Sequence, residues 1–458
     1  MADVHGHRLT GIRAATTLVD LGFPAIAAGV IARRRPMLGL LERLRADERA
    51  IERMRALRAE FGRGPVELVV PGRRIVVVLD PEDVGRVLDQ APAPFDPANR
   101  EKRAALGRFQ PHGVLVSQGP VRAQRRAVNE AALDTGAPLH RLAAPFAAKV
   151  ADEAQDLLTR ARGRGVLDAG TFTATWWRLV RRIALGERAR HDDAITDELW
   201  RLRSAGNWSF LAPPHRKRRD RFLARLYDYV ETAEPDSLAG ALAAVPAAGA
   251  VDPVGQMPQW LFAFDAAGIA LSRTLALLAD HPDQRARARA EAEDPGTAGL
   301  RPYLRACVLE SIRLWPTTPV ILRDTTEWTR WRSGSAEFAL EPGAALVIVA
   351  PAFHRDRDTL PFADRFVPEI WLYGRAQEYP QLVPFSAGPA ECPGRDLVLF
   401  VTSALLAHMV SGPELRLRSH PPLGPDEPLP ATLNNYGLEF TVVPRTGAAR
   451  AAESAPPR

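Results

Sequence analysis

Cysteine is scarce: there are two in 458 residues. That excludes a disulfide framework of the kind that staples small secreted domains. The chain also lacks any internal repeat of fixed period, and nothing between residues 60 and 443 reads as a linker. The opening stretch lacks a span-length apolar run. Its longest, Leu21 to Ala32, is bounded by Asp20 and Arg33-Arg34-Arg35. Such a run cannot cross a bilayer, and no convincing small-residue cleavage site follows it. No stable membrane anchor is expected, although contact of residues 18–35 with a membrane surface stays open. The net charge of +6 invites a nucleic-acid reading. The arginines are scattered among acids, however, and no aromatic-interleaved basic motif occurs, so that reading is rejected. The basic run from His215 to Arg221 reads as the solvated face of a helix. What remains is an ordinary globular composition, 46% hydrophobic and 25% charged.

One of the two cysteines sits in the stretch Pro384 to Arg395, with Gly388, Gly394 and several prolines, just before an apolar helical run from Leu397 to Val410. A thiol at the mouth of a helix meets the positive end of its dipole, which favours thiolate. Gly388 and Gly394 allow close approach of backbone to a flat ligand and aim N–H groups at sulfur. Phe385 is placed to shield that sulfur from water. A haem iron needs a single soft axial ligand of this kind, and a cysteinate pushes electron density onto the metal. A second pattern stands 82 residues earlier: Glu310 and Arg313, three apart on a helical run from Leu304 to Leu314 and able to pair on one face. His354-Arg355-Asp356 and Phe366-Val367-Pro368-Glu369-Ile370-Trp371 lie in order between them.

This ordered set resembles the cytochrome P-450 family of haem-thiolate monooxygenases, over roughly residues 40 to 443. The resemblance implies a mainly α fold with small β-sheets (α+β), haem lying between a long distal helix and the Cys loop with its helix. The expected division is an N-terminal arm (1–39), one domain (40–445) and a disordered tail (446–458). Haem b (iron protoporphyrin IX) is the implied cofactor, with the Cys392 thiolate as axial ligand, which leaves no pair of cysteines for a disulfide and points to the cytoplasm. Arg125 and Arg323 match the arginines that pair with haem propionates. Val121 stands where a Trp or His usually adds a further donor, and Ala390 where a histidine or arginine often does. Glu310 and Arg313 are implied to be structural. The arginine that normally completes their triad is replaced by Ile370, leaving Arg365 as a substitute or the pair alone.

The helix expected over Met257 to Asp280 ends at His281-Pro282, an anchor the family shares. Counting back from it places Asp265 on the acid of the family's acid–alcohol pair and Ala266 on the alcohol. Ala263 falls on the small kink residue, with Gly268 as a second weak point. A carboxylate in so apolar a run is costly to bury without purpose or partner. The missing alcohol leaves three readings open: a substrate hydroxyl or water takes its role, peroxide is the oxidant, or the iron promotes a rearrangement or only binds a ligand. Candidate pocket residues are Phe95, Phe109, Val116, Phe262, Val320, Ile321 and Tyr436, an apolar lining suited to a lipid, terpenoid or polyketide-like small molecule. The turn at Asn207-Trp208 lies where relatives have a mobile roof. Electrons are expected from a ferredoxin or flavodoxin with its reductase, docking on Arg122, Arg125 and Arg126.

Overall fold

The computed structural model describes residues 7–246, 251–297, 299–334, 336–419 and 421–444. The expected tail 446–458 lies outside them. The helix expected from Met257 to Asp280 forms with those bounds, opened by Pro258 in its first turn. Its apolar residues point in almost every direction, so it is buried by neighbours all round rather than along one stripe. It packs against helices Ala169–Leu185, Pro302–Leu314 and Arg395–Ser411. Together with helix Ala143–Arg164 these build the larger of two cores, in which Leu157, Leu179, Leu261, Leu304 and Val401 are buried.

The second core lies under a six-stranded sheet ordered Arg8–Leu9, Val66–Val70, Arg73–Val77, Ala345–Val349, Val320–Thr325, Phe95–Asp96. The turn residues Pro71-Gly72 between two apolar runs predict a hairpin, and it forms, with Val66 opposite Val77 and Val70 opposite Arg73. Gly72 takes φ +75, the left-handed value such a tight turn needs. Asp80 caps the next helix, Pro81–Asp89, accepting the Glu82 N–H at 3.0 Å. A three-stranded sheet (Glu414–Leu417, Glu439–Val443, Val166–Asp168) and a hairpin (Thr329–Ser333, Ala336–Leu340) complete the strands. Helices carrying the core, with small sheets beside them, are the expected α+β class.

Two expectations about the first sixty residues are corrected. Residues 7–39 are not a separate arm. Arg8–Leu9 pairs in parallel with Glu67 and Leu68, and helix Gly11–Ala28 packs on helix Ala46–Phe61. Apolar residues at helical spacing from Leu40 to Phe61 predict one helix there, whereas the structure has two, Arg35–Arg43 and Ala46–Phe61, because Arg45 takes a left-handed φ of +50. Periodicity alone cannot register one such residue within an otherwise helical pattern.

Candidate functional site

The Cys loop folds back on itself before helix Arg395–Ser411. The Cys392 N–H donates to the Phe385 carbonyl at 3.0 Å, and the Arg395 N–H to the Cys392 carbonyl at 3.3 Å. The thiol is therefore held one turn ahead of a helix N-terminus, with Phe385 packed against the helical core beside it. Burial pushes the Cys392 thiol above its ordinary value, and the Gly394 N–H and the Arg126 guanidinium oppose that shift. Gly388 does something other than expected. It has φ +63, and a Cβ there would lie 2.4 Å from the Leu88 carbonyl oxygen. It lets the loop press on helix Pro81–Asp89, a protein contact rather than a ligand one. Cys307, by contrast, is wholly buried on helix Pro302–Leu314.

Opposite elements bring cations inward. Arg323 is 3% exposed, yet its Nη1 donates only to the Leu322 carbonyl, its Nη2 only to Ser386 Oγ, and its Nε finds no partner. Burial lowers its guanidinium to about 10. Lys102 donates to the same Leu322 oxygen at 3.1 Å, and to the Pro97 carbonyl. Burial, then Arg323 and Arg122, holds its ammonium well below the ordinary lysine range. Arg125 donates to Ser117 Oγ at 2.6 Å and shares a hydrogen bond with His112, while its Nε is orphaned. Among the described residues none of Lys102, Arg122, Arg125 and Arg323 has a carboxylate ion pair. Sequence reasoning missed Lys102. The signal was a lysine in a chain whose basic residues are nearly all arginine, inside the loop-rich stretch.

Arg122 and Arg126 do not form a docking face with Arg125. Arg122 is buried, its Nη1 on the Val114 carbonyl at 2.9 Å. Arg126 is tied to Glu130 and to the Glu391 carbonyl of the Cys loop. Three arginines spaced at three and one along a helix point in different directions, and the exposed positions around them, Val121, Ala123, Gln124 and Ala127, carry no charge.

On helix Met257–Asp280 the partly accessible residues Gln259, Phe262, Ala263 and Ala266 fall at i, i+3, i+4 and i+7, a mostly apolar stripe left open on a helix that is largely buried elsewhere. Phe262 meets Phe109 edge-on at 5.9 Å. Asp265 has the partner its burial required: Arg203 of helix Asp193–Gly206 donates to Oδ2 at 2.6 Å and lies over the Phe262 ring. The carboxylate also lines a cavity of about 30 Å³ with Trp176, Gly268, Ser272, Asn435 and Tyr436, room for a water. Gly268 is not a weak point but a packing glycine. The Trp176 indole occupies its Cβ space and donates to the Phe264 carbonyl at 2.7 Å.

Three pocket candidates are misplaced. Phe95 is buried in the sheet core, edge-on to Trp331. Val320 and Ile321 are neighbours in a strand and must face opposite ways. Ile321 shares the Arg323 face and belongs to the sheet core with Ala387 packed near it, whereas Val320 points away. Tyr436 stacks under Arg35 and packs with the N-terminal helices, reaching the cavity behind Asp265 rather than the open stripe.

Glu310 and Arg313 are both 0% exposed and bidentate, at 2.7 Å twice. Arg313 spends its other N–H groups on the carbonyls of His354, Phe362, Ala363 and Arg365. Glu310 accepts the Val367 N–H and the Trp371 indole N–H, each at 2.9 Å. The missing third arginine is thus replaced by Trp371, and Arg365 contributes only its carbonyl.

A cytochrome P-450 family profile matches residues 263–435 of this chain, which include Asp265, the Glu310–Arg313 pair and Cys392. Among curated proteins it is similar to cytochrome P-450 4d8 of Drosophila melanogaster, 29% identical over 158 residues, 32% of this chain and 34% of that one. It is also similar to cyclooctat-9-en-7-ol 5-monooxygenase of Streptomyces melanosporofaciens, 31% identical over 151 residues, 31% of this chain and 32% of that one. The chain thus spans about a third of the length of these relatives. A crystal structure of a cytochrome P-450 superposes with TM-score 0.68 at 19% identity, covering 86% of this chain and 94% of that one, which fixes the fold. That family takes haem with a cysteine thiolate ligand. The residues here fit such a group on their own account. A buried arginine, Arg323, and a half-buried one, Arg125, each with an orphaned Nε atom, and a lysine sharing an acceptor with Arg323, want anions such as a pair of carboxylates.

Proposed function

We propose that this chain, a member of the cytochrome P-450 family, binds haem b through the Cys392 thiolate and is a monooxygenase that hydroxylates or epoxidises an apolar small molecule. The observation that carries this reading is the pairing of one loop-held thiol with buried cations that lack a counter-charge. Bound haem supplies oxygen activation, assisted by electron push from the thiolate. Arg323, Arg125 and Lys102 hold the propionates, a Lys102 contact standing in for donors lost at Val121 and Ala390. Phe385 and the fold of the Cys loop keep water from the sulfur. The stripe Phe262, Ala263, Ala266 and the facing Phe109 bind the substrate by apolar contact, which suits a lipid, terpenoid or polyketide-like molecule. One of its relatives is named as a monooxygenase of cyclooctat-9-en-7-ol. Asp265 Oδ2 is held by Arg203, and this carboxylate, with a water in the cavity behind it, moves protons towards the stripe. Because Ala266 carries no hydroxyl, a substrate hydroxyl or a water supplies the donor there. Electrons come from a ferredoxin or flavodoxin with its reductase.

Cys392→Ser is expected to abolish the red-shifted Soret band that thiolate ligation gives the reduced carbon-monoxide complex, while Cys307→Ser keeps it. The reverse pattern would overturn the ligand assignment. Arg323→Gln and Lys102→Met are each expected to lower haem affinity by about 10- to 100-fold, the worth of a hydrogen bond to a charged group. The readout is the rate of haem transfer to a scavenging apoprotein. Unchanged transfer in Lys102→Met would remove that lysine from the cradle.

A further inference from the structure

Two glutamines open helix Met257–Asp280, Gln256 at its cap and Gln259 in its first turn, and they are used differently. Gln256 is buried and spent on the protein at both ends. Its Nε2 donates to the His112 carbonyl at 2.8 Å and more weakly to that of Asp252, and its Oε1 accepts the Asn129 amide N–H at 3.1 Å. Gln259 has one bond only: its Oε1 accepts from Gln110 Nε2 at 2.6 Å. Among the described residues no protein group takes the Gln259 Nε2. Gln110, in the loop after helix Arg100–Leu106, is 0% exposed, yet its own Oε1 has no partner. Gly113 leaves the room for that oxygen, since a Cβ there would lie 2.8 Å from it. Two amides that share one hydrogen bond keep a donor and an acceptor in hand, whichever way they are turned. A buried amide group is rarely left so without a use.

The pair stands at one end of the open stripe. Gln259 is the first of its four residues, and Phe109, the neighbour of Gln110, meets Phe262 edge-on. Phe262, Ala263, Ala266 and Phe109 offer no hydrogen bond, so polar recognition at this end falls to the two amides. Gln259 precedes Ala266 by two helical turns, about 10 Å along the axis. Helical side chains lean towards the N-terminus, which carries the amide further still from Ala266. We propose that Gln259 Nε2 donates to an oxygen of the substrate, a hydroxyl or carbonyl held about 10 Å from the carbon that is oxidised. Gln110 is the positioning residue: by occupying Gln259 Oε1 it fixes the amide with its N–H groups turned to the stripe. The inference rests on the proposed function, and narrows the substrate from any apolar molecule to one already oxygenated at its far end. An earlier oxygenation or hydration must supply that group. It is separate from the donor required beside Ala266, at the other end of the stripe.

The test uses probes anchored on the iron at one end: 1-octylimidazole, 1-(8-hydroxyoctyl)imidazole and 1-(8-methoxyoctyl)imidazole. Each is titrated into the full haem-loaded chain and read by the Soret shift that nitrogen ligation gives. The hydroxyl and the ether oxygen both accept a hydrogen bond. The affinity of each oxygenated probe relative to 1-octylimidazole is therefore expected to fall by about 10-fold in Gln259→Leu, the worth of one hydrogen bond. Gln110→Met, which frees the Gln259 amide to turn, should lower the same ratio by about 3-fold. It decides alone where Gln259→Leu loads no haem. The shorter pair 1-propylimidazole and 1-(3-hydroxypropyl)imidazole cannot reach Gln259, and its ratio should be the same in wild type and both variants. An octyl-chain ratio unchanged in the variants overturns the inference. So does a loss that appears equally with the propyl pair, which would mark a general change in the pocket. A Soret band that no imidazole shifts would instead overturn the proposed function, and the inference with it.

Discussion

Glu310→Ala is expected to leave almost no soluble, haem-loaded protein. Removing this carboxylate strands the Arg313 guanidinium in a site with 0% exposure. It also orphans the Val367 N–H and the Trp371 indole N–H, both of which now donate to Glu310. Breaking a buried ion pair by deleting one partner costs about 3–5 kcal/mol. A domain is stable by only about 5–15 kcal/mol in all, and here the loss falls on the segment between Val367 and Trp371 that the pair holds. Haem content per chain and the midpoint of thermal unfolding measure it. A control sits on the surface hairpin: Glu337, 61% exposed, pairs with Arg332 at 2.7 Å. Glu337→Ala should cost well under about 1 kcal/mol, the worth of exposed pairs. Normal yield and haem content in Glu310→Ala would show that the pair does not organise this region.

The contrast between these two pairs shows what could be read in the sequence. Glu-x-x-Arg is the same local pattern wherever it occurs, and its burial became legible only from the ordered motifs around it. The central helix was readable to the residue because a long apolar run ending at His-Pro has few alternatives. Individual pocket residues were not readable, for two physical reasons. Strand residues alternate faces, so Val320 and Ile321 could not both turn the same way. And an apolar side chain in a loop, such as Phe95, serves a sheet core as readily as a cavity, since burial rewards both alike. Arg122 failed for the converse reason. A guanidinium on a helix is usually solvated, and only its burial, the Val114 carbonyl and the nearby Lys102 and Arg323 show that this one is not. The partner of Asp265 was anticipated as a need and not as a residue, because Arg203 lies 62 positions away on another helix.

Asp265→Asn should slow turnover with oxygen and reductase by about 10²–10⁴-fold, the usual worth of a positioned proton donor. The substitution keeps the shape of the side chain and an oxygen for Arg203, so it removes the proton-carrying function with little change in packing. It does leave Arg203, itself 2% exposed, without a counter-charge. Haem content and thermal midpoint must therefore be measured beside the rate, and a rate loss without a matching stability loss assigns the effect to proton movement. Turnover driven by peroxide should suffer less, because that oxidant arrives with its protons. Ala266→Thr restores a hydroxyl on the open stripe. It should raise product formed per electron with substrates lacking a hydroxyl, and hinder a native substrate that already supplies one in the same space. Full activity of Asp265→Asn with oxygen would sink the role given to the carboxylate and to the water-sized cavity behind it. Substrate conversion by the wild type without oxygen or peroxide would show that the reaction is a rearrangement, and that the absent alcohol at Ala266 marks a change of chemistry rather than a change of donor.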